Sequence, residues 1–189
     1  ADMLLKKQGV EIVGVVGRGK MLGTSMYDHI STPRGDREDV IVGAMEDVIT
    51  EKAADVVLLC TDSFTRKAFD KIKFIVEKKI NVISSAEEMA YPMAQEPELA
   101  KEIDRLAKEN GVSVLGTGIN PGLIMDLLVI LMTGCCEEVH SILSRRVNSL
   151  SPFGPAVMEE QGIGITVEEF NKGVQEGTLA GHVGFHESI

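Results

Sequence analysis

Four loops of this chain gather side chains able to hold or transform a small polar ligand. Gly17-Arg18-Gly19-Lys20 sets two cations among two glycines, a combination suited to a phosphate group, although the same charges also serve as ordinary solvated loop residues. Thr61-Asp62-Ser63 offers two hydroxyls and a carboxylate, fit either for ribose hydroxyls or, through Asp62 or Ser63, for capping a following helix. In Ser84-Ser85-Ala86-Glu87-Glu88 the carboxylates suit a substrate ammonium or the first turn of a helix. Gly116-Thr117-Gly118-Ile119-Asn120-Pro121-Gly122 brings glycines and a proline around an amide that both donates and accepts, so a ligand is expected close to the backbone at Asn120, Pro121 and Gly122.

His182 and His186 stand at i, i+4, a spacing that seats a metal on one helical face, but no third ligand accompanies them. No metal site is expected, and a helix lining a cleft or the surface is the plainer reading. For proton transfer, Glu87, Glu88, His140 and His182 are candidates by chemistry alone.

The elements that carry these loops alternate regularly. A β-branched run from Val10 to Val16 predicts a strand ahead of the Arg18 loop, after a helix end closed by Gly9, and Val40 to Val42 predicts a short strand. A helix from residue 45 through Ala53 follows. Asp55 to Cys60, Asn81 to Ser84 and Val112 to Leu115 read as strands; Phe64 to Lys79 and Pro97 to Asn110 read as helices, the second closed by Gly111. Such alternation implies right-handed crossovers and a parallel sheet covered on both faces, with ligands beyond the carboxyl ends of the strands. Leu123 to Thr133 reads as a buried helix, too short for a membrane span and interrupted by Asp126. At Cys135-Cys136 the texture changes, and His140 to Val147 alternates like a strand.

Composition narrows the partners. A net charge of -10 repels phosphate backbones and anionic lipid, so neither nucleic acid nor membrane is expected. Three cysteines, two of them adjacent, fit a reducing cytoplasmic setting better than a disulfide framework.

The segments Val10 to Lys20, Ile83 to Glu88, Gly118 to Gly122 and Gly181 to Ser188 together resemble 2,4-diaminopentanoate dehydrogenases, of the dihydrodipicolinate reductase-like NAD(P)-binding group. The resemblance spans essentially the whole chain. It implies an α/β fold, a Rossmann-like doubly wound parallel sheet at residues 1–134, followed from 135–189 by the start of an α/β (α+β) substrate and dimerisation domain. It also implies NAD or NADP as cofactor, held by Gly17, Arg18, Lys20, Thr61, Asp62, Ser63, Ser84, Asn120, Pro121 and Gly122, with the cations at positions 18 and 20 facing a 2'-phosphate. The implied reaction is oxidative deamination of 2,4-diaminopentanoate to 2-amino-4-oxopentanoate and ammonia, in ornithine fermentation, by a homodimer.

Members of the group open with a strand and a G-x-G-x-x-G turn, and this sequence holds neither. The expectation is therefore a fragment: a sheet lacking its first strand, with two strand edges and apolar surface exposed, weak cofactor binding by itself, and most of the second domain lying outside it. Other amino-acid dehydrogenases, dihydrodipicolinate reductase-like enzymes and a non-catalytic NAD(P)-sensing module are the competing readings.

Overall fold

The computed structural model describes residues 1–147, 149–152, 154–176, 178–179, 182–184 and 187–188. Its centre is a three-stranded parallel sheet, β3 (Val56–Leu59), β4 (Asn81–Ser84) and β5 (Val114–Gly116), in which Val57 pairs with Val82 and Val82 with Val114. Two earlier strands, β1 (Val15–Val16) and β2 (Val42–Gly43), form a separate parallel pair, with a short helix α1 (Met45–Val48) after β2. The α/β architecture expected from the sequence is present.

Two helices cover one face of the larger sheet. In α2 (Thr65–Glu77), Ala68, Ile72, Ile75 and Val76 fall on one stripe and are all at most 1% exposed. In α3 (Pro97–Asn110), Ala100, Ile103, Leu106 and Ala107 form a second buried stripe, and the two stripes meet each other and the inward residues Leu59 and Val82 in one core. Burying each large aliphatic side chain contributes about 1.5–3 kcal/mol. Pro97 opens α3 where its missing N–H is harmless, and Gly111 closes it at φ 67°, a left-handed turn that a side chain would resist. Outward, Glu98 pairs with Lys101, Glu102 and Glu109 with Arg105, and Asp104 with Lys108, a solvated face.

Several expectations are corrected by what each element finds to pair with. The strand read over residues 10–16 shortens to Val15–Val16 because β2 offers only two matching residues, and the helix read from residue 45 through Ala53 ends at Val48. The second face of the larger sheet is not covered: Val56, Leu58 and Leu115 are 42%, 44% and 54% exposed. The Leu123 to Thr133 helix is neither regular nor buried. Ile119–Leu127 is a wide-turned segment broken at Asn120, Pro121 and Gly122, and only Leu128–Thr133, here α4, is α-helical, with Ile130, Leu131 and Met132 exposed. Composition marked these residues as apolar, but burial needs a partner surface, and the described residues provide none. For the same reason His140 to Val147 forms no strand. Two further helices, α5 (Pro155–Glu160) and α6 (Val167–Gln175), follow, α6 starting in a Thr166/Glu169 capping box. None of the described helices is long and apolar enough to cross a membrane.

Candidate active site

A cavity of about 480 Å³ opens beyond the carboxyl ends of β3 and β4, where an open parallel sheet is expected to bind its ligand. One wall is the turn from Cys60 to Phe64 with Lys67 of α2; the other is Ser85 and Glu87. Two of the four loops singled out by sequence thus face one another across it.

The Cys60 to Phe64 wall is rigidly tied. Lys71 on α2 reaches back to Asp62 Oδ2 at 2.6 Å and to Thr61 Oγ1 at 3.1 Å, while Thr61 donates to Asp62 at 2.6 Å. Partial burial opposes ionisation of Asp62, but the hydrogen bonds and charge of Lys71 prevail and hold its carboxyl below the usual range. Asp62 and Thr61 therefore position the loop, leaving Ser63 to meet a ligand. Neither Asp62 nor Ser63 caps α2: the N-cap residue is Phe64, without a side-chain bond, and the Thr65 N–H is accepted instead by Glu88 Oε2 at 2.7 Å, from across the cavity.

Glu87 and Glu88 consequently have different surroundings. Glu87 lines the cavity, whereas Glu88 is 7% exposed and turned inward. Burial raises the Glu88 carboxyl above its usual range; the hydrogen bond from Thr65 works against this, and the negative charges of Glu187 and Glu96 add to it. Ser84 is wholly buried, its Oγ accepting from the Ala86 N–H, so Ser85 is the serine of this loop that faces the cavity.

Beyond β5, the chain turns sharply through the Asn120 loop. Gly116 lies so close to the Met89 carbonyl that a Cβ would overlap it, which fastens β5 to the Glu87–Ala90 turn. Pro121 is buried, and the Gly122 N–H is held by Asp126 Oδ2 at 2.7 Å. Both polar atoms of the Asn120 amide are buried without a hydrogen-bond partner among the described residues. An orphaned amide is destabilising by about 1–3 kcal/mol unless a ligand or water completes it. Arg18 and Lys20 stand exposed after β1, and neither joins an ion pair with a described residue. Gly17 donates to the Gly43 carbonyl at 3.0 Å and so fixes the start of that loop.

His140 is exposed and lies 3.8 Å from Glu138, with nothing to place it at the cavity. His182 sits in a bend, not a helix; its Nε2 accepts from Arg146 at 2.7 Å, which leaves Nδ1 to donate to the Val183 carbonyl. His186 lies outside the described residues, and among those described no cluster of three His, Cys, Asp or Glu side chains is arranged to hold a metal.

The sequence reading did not single out Lys67, Lys71 or Ser85. Lys67 and Lys71 lie within the helix read from Phe64 to Lys79, and only the i to i+9 reach of Lys71 back to Asp62 marks it as part of the site.

Residues 123–189 match the 2,4-diaminopentanoate dehydrogenase C-terminal domain family. The resemblance read from the sequence is borne out. Over 98% of the chain, the fold is similar to an amine dehydrogenase from Mycobacterium smegmatis, with a TM-score of 0.75 and 26% identity. The chain spans 54% of that enzyme's length. A homoserine dehydrogenase from S. aureus is matched over 56% of the chain and 23% of its own, at 16% identity and a TM-score of 0.36, too weak a likeness to bear on the fold.

Proposed function

We propose that the protein is an NAD(P)-dependent dehydrogenase that deaminates 2,4-diaminopentanoate to 2-amino-4-oxopentanoate and ammonia in the cytoplasm. The observation that carries this reading is the cavity at the β3 and β4 ends, walled by Ser63 and Glu87, in a chain whose residues 123–189 match the diaminopentanoate dehydrogenase family and whose fold is similar to an amine dehydrogenase.

The residues present fit a nicotinamide dinucleotide. The Asn120 amide, without a partner among the described residues and with both a donor and an acceptor to satisfy, complements a carboxamide; Ser63 suits a ribose hydroxyl; Arg18 and Lys20 suit a 2'-phosphate. When bound, the nicotinamide supplies the hydride acceptor. The chain's own part is to orient the amine-bearing carbon, receive the amine's proton and direct water to the imine left on the substrate. Glu87 is a cavity carboxylate able to do both, accepting the ammonium's proton and releasing it to solvent, then accepting the attacking water's proton and passing it to the departing amine.

The test is NAD(P)H formation and ammonia release from 2,4-diaminopentanoate, beside ornithine, diaminopimelate and homoserine. Selective turnover of the first is expected. Cofactor binding without turnover of any of them would favour a sensing module.

A further inference from the structure

With Asp62 answered by Lys71 at 2.6 Å, two opposite charges remain around the cavity. Lys67, in the first turn of α2, and Glu87, at the start of the turn after β4, both line it. Among the described residues neither forms an ion pair, with the other or with a third group. The Lys67 ammonium is nevertheless kept at the cavity. Its Nζ lies over the Phe64 ring, 4.8 Å from the centre, and Phe64 is itself a lining residue. Its charge also reaches the loop, where it joins Lys71 in favouring ionised Asp62.

A cavity with an unanswered cation on one wall and an unanswered carboxylate on the other complements a ligand that carries both signs at separate points. A simple amine would leave Lys67 without a partner. A phosphate would set several negative charges beside Glu87 and Asp62. One carboxylate joined to one ammonium answers both walls at once. In an amino acid with two amines, the amine beside the carboxylate is then held toward Lys67, and the farther one meets Glu87.

We propose that Lys67 binds the substrate's carboxylate and thereby sets which amine is oxidised, the one farther from that carboxylate. The proposal rests on the amine dehydrogenase reading and adds to it a residue that fixes the substrate's orientation.

The experiment compares kcat/KM of the full chain with NAD(P)+ on 2,4-diaminopentanoate and on 2,4-diaminopentanamide, in which a neutral amide of nearly the same shape replaces the carboxylate. Loss of one charge-assisted bond is expected to lower the acid-to-amide ratio of Lys67→Gln by about 10- to 100-fold, mainly through KM for the acid. Lys67→Arg, which keeps the charge, is expected to recover part of the ratio. NMR of the products is expected to show 4-amino-2-oxopentanoate gaining on 2-amino-4-oxopentanoate in Lys67→Gln. A ratio of rates or of products that stays at the wild-type value overturns the proposal. Dissociation constants of NAD+ and NADP+ test the other source of negative charge: a weakening in Lys67→Gln that matches its loss of kcat/KM assigns Lys67 to a cofactor phosphate, and likewise overturns it. If the wild-type chain turns over neither compound, the dehydrogenase reading fails instead. Calorimetric titration of the acid and the amide into wild type and Lys67→Gln then decides the carboxylate site, with equal affinities overturning it.

Discussion

Two adjacent glutamates show how little a residue's type says about its task. Glu87 borders the cavity, so Glu87→Gln is expected to lower kcat by about 100-fold or more while leaving the fold intact, as read by initial rates beside thermal unfolding. Glu88 instead ties the Thr65 N–H from the interior, with its carboxyl held above the usual range by burial. As pH rises past the ordinary glutamate range, the unfolded chain ionises before the folded one, so stability falls across that interval and then levels. Glu88→Gln keeps an acceptor for Thr65 but no charge. It is expected to unfold at a higher temperature than wild type at pH 8 and to lose that advantage below about pH 4; an equal difference at both pH values would contradict this account. The sequence placed both glutamates in one loop and could not separate them, because the difference arises from Thr65, 23 positions away. Glu187 was invisible for a stronger reason: its partner Gln95 lies 92 positions off.

At the scale of elements, what is local in sequence was legible. β4 and α3 have the bounds that alternation, Pro97 and Gly111 imply, and the loops after β3 and β4 do meet at the cavity. Elements that depend on a distant surface were not legible. The apolar run after Gly122 and the alternating run at 140–147 both carried correct composition and wrong structure, since among the described residues the first stays largely exposed and the second pairs with no strand. The junction of β5 with the Glu87–Ala90 turn permits no side chain at position 116, so Gly116→Ala is expected to destabilise by about 3 kcal/mol. Denaturant unfolding measures this, and a loss within experimental scatter would mean that the turn yields. In the loop after β1, Arg18→Glu is expected to weaken NADP relative to NAD by about tenfold or more, read as the ratio of their dissociation constants.

For the whole molecule, the consequence of one-sided covering is a broad apolar surface, comprising Val56, Leu58 and Leu115 on the sheet and Ile130, Leu131 and Met132 on α4. Among the described residues, β1 and β3 each pair on one side only, which leaves strand edges open. The chain as given is therefore expected to self-associate with rising concentration, by light scattering, despite its net charge of -10. Leu58→Lys, placed on the uncovered face, is expected to reduce that association; no effect would place the contact surface elsewhere. The outward face of α3, laced with ion pairs, is an unsuitable contact surface.

The bond from the Thr65 N–H to Glu88 crosses from the helix that carries one cavity wall to the turn that carries the other. That amide proton is in effect a built-in gauge. Its exchange with solvent deuterium is slow only while the two walls stay in register, and its NMR resonance frequency follows the length of a bond to a charged acceptor. A single backbone signal thereby reports how tightly the cleft closes around whatever occupies it, with no label introduced into the cleft itself.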